Sequence, residues 1–349
     1  MATLVTGAFG CIGAWVCKHL LEAGERPLAL DVGDDPWRMR MIVGPDRLRD
    51  VVMVKGDITD RDGLSRIMGE HRADRIIHLA AWQVPLCRQD PARGALVNVV
   101  GTANVFEAAK AHRHRVSRVT YFSSAGVFGP PHLYGPGPVT DDSPPRPATH
   151  YGVYKVANEE TARIYWEEHK IPSMAFRPLT VYGPGRDFGL TADPTLAMKA
   201  AVLGRPFQIR WGGATDFVFA DDVARACVAA STATLDGARV YNLHGESVTV
   251  ADLTRLIEEA PAFAEGWNKR ATVRYMAGEY AASIADCRET LARNPHHFGA
   301  LSGQGLCRLA LGQFGEATEL FRRTLAVHPH LGSARNNLRA ALSEIVKLN

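Results

Sequence analysis

The 349-residue chain predicts an α/β fold: a doubly wound parallel sheet followed by an all-helical repeat segment. Three observations lead there. Short apolar runs alternate with amphipathic helical patterns up to about residue 230. A glycine-rich turn joins the first run to the first helix. From about residue 261 the strand patterns stop, and helical patterns recur at a fixed spacing.

The apolar runs are Thr3–Thr6, Pro27–Asp31, Val51–Val54, Arg75–Leu79, Val119–Ser123 and Ser173–Arg177. Amphipathic helices are expected between them, among them Ile12–Ala23, Pro91–Ala111 and Tyr151–His169. Strands that are apolar throughout, rather than alternating, belong in a parallel sheet covered by helices on both faces. A further strand pattern at Val240–Leu243 and a helix from Thr249 to Ala260 complete this half. The first domain is therefore expected over 1–260 and the helical segment over 261–349.

In that segment Trp267 matches Leu301, Gly278 matches Gly312, Tyr280 matches Phe314, Leu291 matches Leu325 and Pro295 matches Pro329, every offset being 34 residues. That is the tetratricopeptide period, so two helix pairs and a capping helix over Ser333–Leu348 are expected. The aromatic repeat positions read as helix-packing core, and the segment as a surface for a protein or peptide partner.

Composition narrows the function. Hydrophobic residues make up 46% and charged residues 22%, as in ordinary globular proteins. The net charge of +3 gives no reason to expect nucleic acid. No apolar run approaches the ~20 residues of a membrane span, and no leader is recognisable ahead of the first strand. Six scattered cysteines without a Cys-x-x-Cys pair read as buried thiols in a reducing cytoplasm.

Chemistry concentrates at strand ends. Thr6-Gly7-Ala8-Phe9-Gly10-Cys11-Ile12-Gly13 leaves the first strand and opens a helix, which brings backbone N–H groups and a helix N-terminus to a pyrophosphate. Asp31 ends the second strand 18 residues after Gly13, where a carboxylate accepts from ribose hydroxyls. The acids Asp34 and Asp35 follow, with no arginine before Arg38, which favours NAD over NADP. Tyr151 and Lys155 share a helix face at i and i+4, pairing a phenol with a cation that would lower its pKa. His112 and His114 read as a charged helix end, and no metal site is expected.

With these motifs in view, the chain resembles the extended short-chain dehydrogenase/reductases, the NAD-dependent epimerase/dehydratase group with its Rossmann-type sheet, over about residues 1–259. The resemblance rests on the glycine motif, Gly56-Asp57-Ile58-Thr59-Asp60, His78-Leu79-Ala80-Ala81, the helix around Asn98, Phe122-Ser123-Ser124-Ala125-Gly126 and Arg177-Pro178-Leu179-Thr180-Val181-Tyr182-Gly183. It implies cofactor contacts from Gly7, Phe9, Gly10, Cys11, Ile12, Gly13, Asp31, Asp57, Ile58, Leu79, Ala80, Ala81, Asn98, Tyr151, Lys155, Pro178 and Val181. Tyr151 would be the acid/base, Lys155 would lower its pKa, and Ser124 would bind the same substrate oxygen. Trp82, Gln83, Ser124, Ala125 and Arg186 would meet the substrate, with Arg88 nearby. Ser123 and Tyr154 read as structural. His150 is balanced between facing solvent and lining a pocket. By family analogy the chain is a homodimer.

Three departures refine this. Ala125-Gly126 stands where dehydratases of the family carry Asp-Glu, which argues against dehydration. Thr215 replaces a phosphate-binding arginine of many nucleotide-sugar epimerases, with Arg186 and Arg210 as candidate substitutes. The repeat begins where the family continues its substrate lobe, so that lobe reads as truncated. The expected activity is NAD-dependent oxidation or epimerisation at a secondary hydroxyl of a sugar, sugar acid or nucleotide sugar. The alternative is an NAD-binding interaction protein that has lost catalysis.

Overall fold

The computed structural model describes residues 2–203, 205–234, 236–259 and 264–348. Ten strands are described: β1 (Thr3–Thr6), β2 (Leu28–Asp31), β3 (Val52–Lys55), β4 (Arg75–His78), β5 (Val119–Phe122), β6 (Ser173–Pro178), β7 (Thr180–Tyr182), β8 (Ala214–Phe219), β9 (Ala238–Leu243) and β10 (Glu246–Thr249). Seven form one sheet in the order β3-β2-β1-β4-β5-β6-β9, parallel throughout. The order reverses between β1 and β4, and in such sheets ligands bind outside the carboxyl ends at the reversal.

The apolar runs form strands for the reason given above: β1, β4, β5 and β6 are buried along their whole length. One face packs Val5, Ala29 and Ile77 against the helices Cys11–Glu22 and Ala220–Thr232. The other packs Leu4, Ile76, Val119 and Ala175 against helices that supply Leu64, Phe106 and Ala162. A smaller sheet, β10-β8-β7, joins β8 to β7 in parallel and to β10 antiparallel.

The chain divides into two compact units, residues 1–195 with 213–249, and residues 196–212 with 250–349. The boundary expected at 260–261 lies outside the described residues. The second unit is all-helical. Its helices Phe298–Ala310 and Phe314–Val327 begin and end 34 residues after Ala264–Met276 and Tyr280–Arg293. Gly278 and Gly312 turn the chain with φ +77° and +72°. Buried Ala271, Cys287 and Ala300 form one small core, and Ala317, Phe321 and Ala341 another. Asp286, almost fully buried, is held by Arg270 at 2.7 Å and Arg274 at 2.9 Å. No helix among the described residues is long and apolar enough to cross a membrane.

Two sequence expectations need correcting. The helix expected over Pro91–Ala111 is interrupted by one π-helical turn at Leu96–Val100. Of the six thiols expected to be buried, Cys11 is only half-buried, because it opens a helix at the sheet's rim.

Candidate active site at the carboxyl ends of the sheet

The glycine loop is packed tightly enough to exclude side chains. Gly7 has φ +67°, and a Cβ there would come within 2.7 Å of the Ala80 nitrogen. A Cβ on Gly13 would come within 2.4 Å of the Gly7 carbonyl oxygen. The helix Cys11–Glu22 starts with no side-chain cap and no acid in its first turn, so neither competes with an anion for its N–H groups. Asp31 binds the loop itself: its carboxylate accepts from Phe9 N at 2.9 Å and Gly33 N at 3.0 Å. Asp57 accepts from Thr59 N at 2.8 Å, and Ile58 is buried. Arg38, given no role from sequence, donates to Phe9 O at 3.3 Å, to Gly185 O at 3.1 Å and to Asp187 at 2.7 Å. It thereby ties the glycine loop to the loop after β7.

The turn after β4 is fixed by side chains. Thr102 donates to Asn98 O at 2.7 Å, so its oxygen accepts from His78 Nε2 at 3.0 Å. That leaves His78 Nδ1 as an acceptor for the Thr6 hydroxyl at 2.7 Å. Thr6 in turn accepts from Leu79 N and Ala80 N at 3.3 Å. Burial drives the His78 pKa down to about 3, assisted by the Lys155 charge. Asn98, in the π-helical turn, uses both ends of its amide on Trp82: Oδ1 accepts from Trp82 N at 2.7 Å and Nδ2 donates to Trp82 O at 2.9 Å. Its side chain thus positions the backbone that follows Ala81. Pro178 and Val181 are buried, Pro178 ending β6 and Val181 lying within β7.

The helix His150–His169 is capped by Thr149, whose hydroxyl accepts from Gly152 N at 3.0 Å. This sets Tyr151 in the first turn and Lys155 one turn on. Lys155 is 5% exposed, donates to Phe122 O at 2.7 Å, and lies 5.5 Å from the centre of the Tyr151 ring. Ser124 Oγ accepts from Gly126 N at 3.0 Å, and a Cβ on Gly126 would lie 3.3 Å from that oxygen and 3.7 Å from the Tyr151 ring, so the two side chains border the same spot. The expectation that Lys155 lowers the phenol's pKa is corrected here. Burial pushes Tyr151 up to about 12, and the groups that pull it down are the Ser124 hydrogen bond and the Arg186 charge. Burial also brings Lys155 down to about 8.

Below this trio lies an ion pair that sequence reasoning missed. Glu159 binds Arg177 through two hydrogen bonds of 2.8 and 2.7 Å, with both side chains 7% exposed or less. Ser123 donates a short hydrogen bond to the same carboxylate. Ser123 is therefore structural, and so is Tyr154, whose hydroxyl donates to Pro91 O at 2.8 Å. The signal available was spacing: Glu159 lies one turn beyond Lys155 on the same helix face. Arg186 reaches Thr191 Oγ1 at 2.8 Å and Gln83 Oε1 at 3.5 Å. Ala125 opens the short turn after Ser124. Arg88 and His150 are exposed, and His150 stacks on Tyr154 with ring centres 6.2 Å apart.

Known proteins resemble this chain over its first two thirds. The NAD dependent epimerase/dehydratase family profile matches residues 3–243. The chain belongs to that family. It is 36% identical over 236 residues to the UDP-glucose 4-epimerase of Mycolicibacterium smegmatis, covering 66% of this chain and 73% of that one. It is 28% identical over 291 residues to the dTDP-L-rhamnose 4-epimerase of Burkholderia thailandensis, covering 73% and 79%. The Thermus thermophilus UDP-glucose 4-epimerase, solved in complex with NAD, superposes with a TM-score of 0.63 at 27% identity, covering 74% of this chain and 83% of that one. This chain is an NAD-dependent enzyme of the epimerase/dehydratase type. Its residues fit the cofactor: the glycine cradle a Cβ would fill, the uncapped helix start and Asp31 at the end of β2 supply what a dinucleotide needs.

Proposed function

We propose that the enzyme oxidises a secondary hydroxyl of a sugar-like substrate, either as net dehydrogenation or as the first half of an epimerisation. The observation that carries this reading is the convergence of three side chains: Lys155 lies 5.5 Å from the centre of the Tyr151 ring, and Ser124 Oγ and that ring both border Gly126. Bound NAD supplies the hydride acceptor. The glycine loop, Asp31 and the turn Leu79–Ala81 would hold it. Tyr151 takes the proton of the substrate hydroxyl in one direction and returns it to the carbonyl in the other. Ser124 donates to the same oxygen and steadies the charge that develops there. Because burial holds the phenol protonated at neutral pH, Tyr151 rests in its acid form. The positive charge of Arg186 favours its ionisation, and the phenolate so formed takes the substrate's proton. Ala125-Gly126 offers no carboxylate to eliminate water, which supports oxidation or epimerisation over dehydration.

Tyr151→Phe is expected to keep NAD affinity and to lower turnover about a hundredfold or more, because it removes the proton carrier and little else. NADH absorbance together with epimer analysis over a panel of sugars, sugar acids and nucleotide sugars reads this out. Undiminished turnover would remove Tyr151 from the mechanism.

In the same reading the C-terminal helices are tetratricopeptide repeats that hold a protein or peptide partner, supported by the 34-residue recurrence of helix bounds. The enzyme is a cytoplasmic homodimer, supported by exposed Leu96, Val100, Val153 and Ile164 on the helices the family analogy assigns to the interface.

A further inference from the structure

The strand pairing of β5 ends one residue short of the site. Its last pair on the β6 side is Phe122 with Phe176, and Ser123 and Ser124 lie beyond it. The helix His150–His169 holds this strand end. Tyr151, Lys155 and Glu159 recur at i, i+4 and i+8, on one helix face. They meet three successive residues. Lys155 donates to Phe122 O at 2.7 Å. The Glu159 carboxylate accepts a short hydrogen bond from Ser123 Oγ. The Tyr151 ring and Ser124 Oγ border the same Gly126. Ser124 is extended, with φ −165° and ψ 149°, and in extended chain successive side chains point to opposite sides. With Ser123 turned to Glu159, Ser124 is turned away from it, and a slip of one residue would exchange the two.

The carboxylate is itself fixed. Arg177 binds both of its oxygens, at 2.8 and 2.7 Å, and donates to Asp141 O at 2.9 Å. Ser123, Glu159 and Arg177 are all buried. A buried ion pair is often no more stable than apolar residues of the same volume, because both charges must leave water. Its gain here is direction: the planar guanidinium holds the carboxylate in one orientation, so Ser123 finds its acceptor at one place. We propose that Ser123 and Glu159 are positioning residues for the proton transfer, their hydrogen bond turning Ser124 Oγ toward the substrate oxygen that Tyr151 serves. This deepens, and rests on, the assignment of Tyr151 as the proton carrier with Ser124 as its partner. Neither positioning residue acts on the reacting atoms; both act through Ser124.

The test removes one hydroxyl. Ser123→Ala leaves the two hydrogen bonds between Arg177 and Glu159 in place. Hydrogen exchange is then read amide by amide on the NAD-loaded full chain. The Gly126 amide reports on Ser124 directly, because it donates to Ser124 Oγ at 3.0 Å. In Ser123→Ala it should exchange about tenfold or more faster, while the amide of Ile77, in the core of the sheet, keeps its wild-type rate. A general loss of stability would speed both. Turnover of the best substrate among sugars, sugar acids and nucleotide sugars gives a second reading. There kcat should fall about tenfold or more with KM held within about twofold, since the hold serves the transfer and not binding. In a Ser124→Ala background the same substitution should change kcat by less than about twofold, because its effect passes through Ser124. Ser123→Thr, which keeps the hydroxyl, should restore most of the rate. If Ser123→Ala does not fold, Ser123→Cys carries both readings, keeping the volume and weakening the bond. Unchanged Gly126 exchange, or an equal loss of kcat with and without Ser124, would overturn the proposal. Full turnover in Tyr151→Phe would instead overturn the proton-carrier assignment, and the exchange comparison would still decide whether Ser123 orients Ser124.

Discussion

His78 shows what a single side chain decides in this fold. The Thr102 and Thr6 hydroxyls fix it as the Nε2–H tautomer, with Nδ1 accepting. A proton on Nδ1 would face the hydrogen of Thr6. The pKa is therefore depressed, from 6.5 to about 3, and the sign follows. Between those values the unfolded chain binds a proton that the folded chain refuses. Stability that is complete above about pH 6.5 is lost as pH falls toward 3. His78→Gln should flatten this dependence, so the difference in Tm between wild type and variant should shrink from pH 7 to pH 4. A difference that stays constant over that range would refute the assignment. The residue scale also shows where sequence reading stops. The i, i+4 pairing of Tyr151 with Lys155 was legible, and so was the convergence of Ser124 with them. The direction of the Tyr151 shift was not, because burial opposes a nearby cation and spacing carries no measure of burial. Asn98 was placed at the cofactor turn from its surroundings, but its hold on the Trp82 backbone depends on a π-helical turn that no periodicity announces.

At the scale of elements, the helix that carries Tyr151 and Lys155 is anchored at both its start and its middle. Thr149 caps it, and Thr149→Ala should cost about 1 kcal/mol. Glu159 clamps it to β6 through Arg177. Glu159→Gln would leave a buried guanidinium uncompensated, and a loss of about 3–5 kcal/mol in urea unfolding is expected. A loss under about 1 kcal/mol would mean that solvent reaches the pair. Activity should fall with stability, because the same pair clamps the helix that carries Tyr151 and Lys155. Six strands of the large sheet were legible as apolar runs, since parallel strands buried on both faces need apolar residues at every position. The small sheet was harder to foresee. β7 has three residues, and β10 is largely exposed, so neither gives a sustained pattern.

For the whole molecule, the homodimer proposal makes a direct prediction. Sedimentation should give about twice the 38.0 kDa mass of the chain at micromolar concentration. Ile164→Glu, placing a charge at an apolar position that is 39% exposed, should shift the equilibrium toward monomer. A monomeric wild type would end that proposal. The 34-residue recurrence was legible because a repeat must reproduce its packing positions at each turn of the array. The grouping of residues 196–212 and 250–259 with the helical unit was not legible, since local patterns do not reveal which neighbour a helix joins.

The hold of Asn98 on Trp82 has a consequence for how this enzyme could change. The floor of the cofactor seat is pinned by Thr6, His78 and Asn98, none of which lies in the stretch 83–90. Within that stretch Cys87 is buried and tied to the same anchor, accepting from Asn98 at 3.4 Å, whereas Arg88 and Gln89 are exposed and can be exchanged while the dinucleotide seat stays in register. A designer seeking a new substrate would alter the exposed positions of this stretch and keep Cys87 and Asp90, and diversification by drift would meet the same freedom in the same place.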